Sequence, residues 1–132
     1  MVNSNSVRVL AGIAPVLIEM GRVNEAENFC RKAIEKDPFY AAGWSHLSIA
    51  LMRKGDVEEA FKCCAEAIKY DPEDPALWVN FAFVAKSKGD IKTALEKLEM
   101  AVKLSPDNPQ IRNNYGTLLY ESKNLKKAEN EI

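Results

Sequence analysis

The chain has 132 residues, 47% of them hydrophobic and 28% charged, the composition of one globular domain large enough to bury a core. Lys plus Arg number 18 against 19 for Asp plus Glu, so a formal charge of -1 supplies no field to draw nucleic acid or an anionic bilayer. With one His and three Cys, most two-His metal sites and every triad needing a second His are excluded; one Cys–His pairing remains arithmetically open, and an enzyme is not expected.

Residues 1–6 read as an N-terminal extension. The apolar stretch that follows, Val7 to Met20, is interrupted by Arg8 and Glu19 and falls short of the roughly 20 residues that cross a bilayer. It also lacks the basic leader and cleavage site of a secretory signal. Pro15 falls inside this first helix, where its missing N–H and its clash with the preceding turn cost about 3 kcal/mol; the helix is expected to be kinked or to begin late. Gly21, Val23, Ala26, Cys30, Ala33 and Pro38 then recur 34 residues later as Gly55, Val57, Ala60, Cys64, Ala67 and Pro72. They recur again as Gly89, Ile91, Ala94, Leu98, Ala101 and Pro106.

A fixed period of this length with helical apolar spacing predicts stacked helix pairs, none able to bury its apolar face alone. The repeats run 7–40, 41–74, 75–108 and, cut short, 109–132. In the second, Trp44, Leu47 and Leu51 precede Gly55, and Val57, Ala60, Cys64, Ala67 and Ile68 follow it, giving two amphipathic helices. Gly55 and Gly89 stand where a left-handed residue closes the first helix, and Asp56 and Asp90 where a cap opens the second. Asp74-Pro75 and Asn108-Pro109 repeat the capping device at the next helix start. Ala60 and Ala94 are small where the two helices of a pair cross. The fourth repeat carries Lys123 in the glycine column and stops at Ile132, partway through an expected second helix. That predicts partly uncovered Tyr115, Leu118, Leu119, Leu125 and Ile132, with self-association or exchange of the terminal helix as the consequence.

Trp44, Leu47, Leu51, Gly55, Ala60, Ala67 and Pro72, with Trp78, Phe81, Ala82, Gly89, Ala94, Ala101 and Pro106, resemble the tetratricopeptide repeat pattern across residues 7–132. The resemblance implies an all-α, right-handed superhelical solenoid of antiparallel helix pairs, with first helices lining a concave groove. It also implies a non-catalytic protein–protein interaction scaffold. Removing the core columns leaves a groove stripe, from which His46, Ile49, Met52, Arg53, Asn80, Phe83, Lys86, Asn114 and Tyr120 are expected to bind a partner peptide. Arg53 and Lys86 would favour acidic residues, Ile49, Met52 and Phe83 an apolar anchor, and Asn80 and Asn114 the peptide backbone. Ile49 and Phe83 are read equally well as packing between neighbouring first helices. Chaperone-binding members of the family clamp a terminal carboxylate with Lys, Asn and Arg. Here those slots hold Ala11, Pro15, His46, Ala76 and Asn80, or, one repeat on, Ser45, Ile49, Asn80, Gln110 and Asn114, so weak binding of acidic chaperone tails is expected.

The remaining candidates read as structure. His46 has no evident nucleophile or carboxylate beside it, so it is expected to be a solvated or hydrogen-bonded side chain in contact with ligand. Cys30 and Cys64 replace apolar core residues, while Cys63 is expected to be more exposed. Trp44 and Trp78 pack the first helix within each repeat. No C-x-x-C, paired-His or glycine-rich phosphate loop occurs, so no metal, cofactor or nucleotide is expected. An odd cysteine count with Cys63 beside Cys64 favours a reducing compartment, making the cytoplasm the expected location. A protein or peptide ligand is the expected partner, without nucleic acid or membrane insertion. The alternatives are a scaffold that forms homo-oligomers through its open ends and the targeting arm of a longer enzyme.

Overall fold

The computed structural model describes residues 4–130, with side chains from residue 7 to residue 127. The described residues form helices and turns only: α1 (Ser4–Glu19), α2 (Val23–Lys36), α3 (Ala41–Lys54), α4 (Val57–Tyr70), α5 (Pro75–Lys88), α6 (Ile91–Leu104) and α7 (Pro109–Asn130). They divide into two compact units, one ending at Pro72 and one beginning at Glu73.

The first unit packs α1 on α2, α2 on α3, α3 on α4, and α1 on α3. Its core is built from the recurring columns: Ala26, Ala33, Ala60 and Ala67 are at most 1% exposed, and Leu47 and Leu51 2%. Methyl-sized residues at the crossings let neighbouring helices approach closely. The second unit packs α5 on α6 and α6 on α7, with Phe81, Ala82, Val84, Ala85, Ala94, Leu98 and Ala101 buried between them.

The turns are identical where the sequence is. Gly21, Gly55 and Gly89 take φ of 79°, 86° and 90°, the left-handed conformation that favours glycine. At Gly55 the glycine N–H reaches Met52 O, and the following Asp56 N–H reaches Leu51 O at 2.9 Å. Gly89 and Asp90 repeat this with Lys86 O and Ala85 O, closing orphaned carbonyls as a Schellman turn does. Asp56 and Asp90 then cap α4 and α6 through Glu59 N and Thr93 N, and Asp74 and Asn108 cap α5 and α7. The Trp44 indole N–H donates to Pro38 O at 2.7 Å, tying α3 to the turn before it; Arg112, in the same column, donates to Pro106 O at 3.0 Å.

Three expectations are corrected. The first helix begins at Ser4, taking in half of the expected extension, and remains helical through Pro15. Proline removes a single N–H from the ladder, and Ala11, Ala14, Leu17 and Ile18 bury a face strong enough to hold the helix across it. The fourth repeat is one helix of 22 residues, without a turn at Lys123. Lysine resists the left-handed conformation that three glycines adopt elsewhere, so the helical ladder runs on. Leu118, expected to be partly bare, is 3% exposed because α6 packs against α7; Tyr115 and Leu119 are half-buried and Leu125 is 54% exposed. Ile132 lies outside the described residues.

On the surface of the first unit, Glu27 accepts from Lys54 Nζ at 2.7 Å and Arg31 Nε at 2.9 Å, and Arg31 reaches Glu59 at 2.8 Å. The Lys54 hydrogen bond, helped by Arg31, holds the Glu27 carboxyl below the usual carboxylate range despite some burial.

Candidate functional site

The second unit contains a cleft of about 210 Å³. Val79, Phe83 and Lys86, at i, i+4 and i+7, form a single stripe of α5 along one side. Asn114, Thr117 and Leu118 form a stripe of α7 along the other, and Ala82 and Leu98 complete the lining. Ala82, Leu98 and Leu118 are 2%, 5% and 3% exposed, so the base is packed and apolar, whereas Phe83 is 60% exposed at the rim. A small-molecule pocket commonly has roughly 300–1,000 Å³; this one suits one or two side chains of a larger ligand.

The polar groups stand at the mouth. Lys86 Nζ lies 3.3 Å from Glu121 Oε2, with both side chains about half exposed. Such a pair contributes about 0–1 kcal/mol, so an acidic group on a ligand competes with Glu121 at little cost. Asn114 adds an exposed amide able to donate and accept.

The residues singled out from the sequence divide between the units. Phe83, Lys86 and Asn114 line the cleft. Asn80 is half-buried on α5 and engaged by neighbouring groups, outside the lining, so the expected pair of asparagine rungs contributes one residue to it. Tyr120 is 69% exposed on α7, also outside the lining. In the first unit α3 carries His46, Ile49 and Met52, all half-buried, and the exposed Arg53. Ala82 and Leu98 were assigned to core columns, and Leu118 to the partly uncovered end of the last repeat. Their cleft-forming role follows from lying under the Val79–Phe83 stripe, which sequence columns do not reveal until the facing helix is in place.

The groups with chemical potential are held inert. His46 Nδ1 is buried with no hydrogen-bond partner, and burial pushes the imidazole pKa below 6.5, so the ring is neutral near pH 7. The expected hydrogen bond is missing at Nδ1, while the residue as a whole is half-buried. Cys30 and Cys64 are core residues as expected, but Cys63, expected to be more exposed, is 3% exposed. Burial pushes the Cys30 and Cys63 thiols up to about 12 and Cys64 to about 11, leaving no thiolate at neutral pH. Among the described residues no three His, Cys, Asp or Glu side chains gather as metal ligands, and no helix is long and apolar enough to cross a membrane.

The tetratricopeptide repeat family model matches residues 17–86 and 85–132. No curated protein sequence matches the chain. Among solved structures, the chain resembles the first TPR of Spaghetti (RPAP3) bound to the HSP90 peptide SRMEEVD, with a TM-score of 0.85 at 17% identity over 92% of this chain and 99% of that one. It matches the first TPR domain of human RPAP3 with a TM-score of 0.85 at 18% identity, over 98% of this chain and 100% of that one. It also matches an O-GlcNAc transferase mutant from Thermobaculum terrenum with a TM-score of 0.80 at 19% identity, over 88% of this chain and 22% of that one. Likeness at these identities is a likeness of fold.

Proposed function

The chain belongs to the tetratricopeptide repeat family, and on that premise we propose that it is a non-catalytic scaffold that seats a peptide segment of a partner protein in the α5–α7 cleft. The observation that carries this reading is a rim phenylalanine left 60% exposed over a packed apolar base, with Lys86 and Asn114 beside it. An apolar side chain of the ligand enters the cleft, where covering Phe83 and the base supplies the hydrophobic term. Asn114 bonds the ligand backbone, and Lys86, exchanging Glu121 for a ligand carboxylate, favours an acidic neighbour.

A terminal carboxylate is not the anchor in this reading. The solved relative holds a peptide ending in Glu-Val-Asp, but the positions that clamp such an end in chaperone-binding members are here Ala11, Pro15, His46, Ala76 and Asn80 or their neighbours one repeat on. Ala11 is buried and His46 is neutral. A cytoplasmic setting accords with three free cysteines.

Peptide display against the chain, followed by affinity measurement, tests the proposal. Selected peptides should share an apolar residue, bind with micromolar affinity worth about 8 kcal/mol, and bind equally as free acids and C-terminal amides. Phe83→Ala should weaken them by about 1–2 kcal/mol and Asn114→Ala by about 0.5–1.5 kcal/mol. Peptides that bind unchanged to both variants, or that need a free terminal carboxylate, would remove the cleft from the function.

A further inference from the structure

The turns that lead from α2 to α3, from α4 to α5 and from α6 to α7 share a column but not its residue. The first opens with Asp37-Pro38, the second with Asp71-Pro72 and the third with Ser105-Pro106. All three cap residues are extended, with φ of -147°, -143° and -140°, as suits a residue before proline. Each closes its helix with the same bond, from its own N–H to the carbonyl of Ala33, Ala67 or Ala101. Two turns thus carry a carboxylate at this point, and the third carries a hydroxyl. A second column changes with it. Trp44 bonds to Pro38 O through its indole, whereas Arg112 donates from Nη1 to Pro106 O at 3.0 Å. A guanidinium therefore lies over the one turn of the three whose cap residue is uncharged.

This turn is also open to an enzyme. Ser105 is half-buried, and Pro106, Asp107, Asn108 and Pro109 after it are all exposed. The turn is closed by a long backbone bond, Asn108 N to Ser105 O at 3.3 Å, so it opens locally at little cost. Serine followed by proline is the pattern that proline-directed protein kinases take, and none of the other five prolines among the chain's six follows Ser or Thr.

We propose that Ser105 is a phosphorylation site for a proline-directed protein kinase, and that the phosphate pairs with Arg112 to fasten α6 to α7. In the transfer the Ser105 Oγ attacks the γ-phosphorus of ATP, the bond from that phosphorus to the bridging oxygen breaks to release ADP, and the hydroxyl proton passes to the kinase's catalytic carboxylate. A phosphate at the C-terminal end of α6 opposes that helix's dipole, yet Asp37 and Asp71 place an anion at the same cap of α2 and α4. Arg112, in the first turn of α7, offers the planar fork that binds phosphate oxygens in pairs, and Lys103 adds an exposed cation. Asp107, in the same turn, is the competing carboxylate, and the second negative charge of a phosphate outweighs it. The site does not depend on what the α5–α7 cleft binds.

The test incubates the full chain with ATP and a proline-directed kinase of the mitogen-activated class, then locates the modification by fragmentation mass spectrometry. A peptide copying Glu99–Pro109, which lacks Arg112, is the unfolded reference. One phosphoryl group should enter the chain at Ser105, and Ser105→Ala should take none. In phosphorus NMR the peptide's phosphate should titrate near pH ~6, and that of the modified chain about half a unit lower because of the guanidinium. Arg112→Gln, at an exposed position and confirmed folded by circular dichroism, should remove the difference, and Arg112→Lys should restore part of it. Phosphorylation should raise the thermal midpoint by about 2 °C more in the unsubstituted chain than in Arg112→Gln, an excess that shrinks as salt rises. The proposal is overturned if the peptide is modified and the folded chain is not, or if neither is. It is also overturned if the phosphate of the modified chain titrates as the peptide's does, or if Arg112→Gln leaves its titration unchanged.

Discussion

The α5–α6 pair and α7 begin from nearly the same instructions and end differently. Both open with an Asx cap followed by proline, and both carry the apolar columns of a first helix. After 14 residues one reaches Gly89, turns through φ of 90° and returns as α6; the other reaches Lys123 and continues to Asn130. A single position in the left-handed region thus decides whether the chain turns back after 14 residues or continues as helix. The difference shows that the closing turn matters as much to this architecture as the apolar face it folds over.

The sharpest way to break the comparison is to enlarge equivalent crossing points. Ala94→Leu, at a site with no exposed surface, should destabilise the chain by about 1–3 kcal/mol in denaturant titrations. Gly116→Leu should cost nothing and gain up to about 1 kcal/mol from better helix propensity. Equal penalties would mean that α7 is covered in solution. Exchanging the turn residues comes next: Gly89→Ala should lose about 1–2 kcal/mol by forcing a side chain into the left-handed region. Lys123→Gly should lose about 0.5–1 kcal/mol as a glycine inside a helix, and stabilisation instead would reveal a turn at that point.

The smallest effect is at the caps. Asp90 accepts from Thr93 N and Oγ1, and these hydrogen bonds hold its carboxyl below 3.8. Its contribution is therefore present above pH 3.8 and lost as pH falls through the folded value. Asp90→Ala should lower the thermal midpoint near neutral pH and flatten the acid limb, whereas Asn124→Ala, mid-helix in α7, should not lower it. A histidine arm sharpens the same titration. His46 is neutral in the fold and protonates near pH 6.5 once unfolded, so stability should fall as pH drops below 6.5, and His46→Gln should remove that slope.

Three helix pairs, their turns and their caps were legible in the sequence because each rests on local chemistry repeated at a fixed step. Gly21, Gly55 and Gly89 announce left-handed turns, and Ala60 and Ala94 announce close crossings, whatever lies elsewhere in the chain. The course of repeat 4 was not legible, since Leu125 and Ala128 keep the columns of a second helix while Lys123 denies the turn. The site was legible only where one helix decides it. Phe83, Lys86 and Asn114 follow from the face they occupy, but the cleft base needs Leu98 from α6 and Leu118 from α7 brought under them. Cys63 misled because residues beside a core column are usually outside it, whereas here α4 buries Cys63 and Cys64 together.

The two tryptophans fall one to each unit, Trp44 in α3 and Trp78 in α5, both half-buried. Trp44 is bonded through its indole to a backbone carbonyl, and Trp78 lies beneath an ammonium group. Their emission therefore responds to different local events, hydrogen-bond loss in one case and departure of a nearby positive charge in the other. With Trp44→Phe and Trp78→Phe in hand, each half of the chain carries its own intrinsic fluorophore, and whether the halves melt as one cooperative body or in succession can be followed without attaching a label.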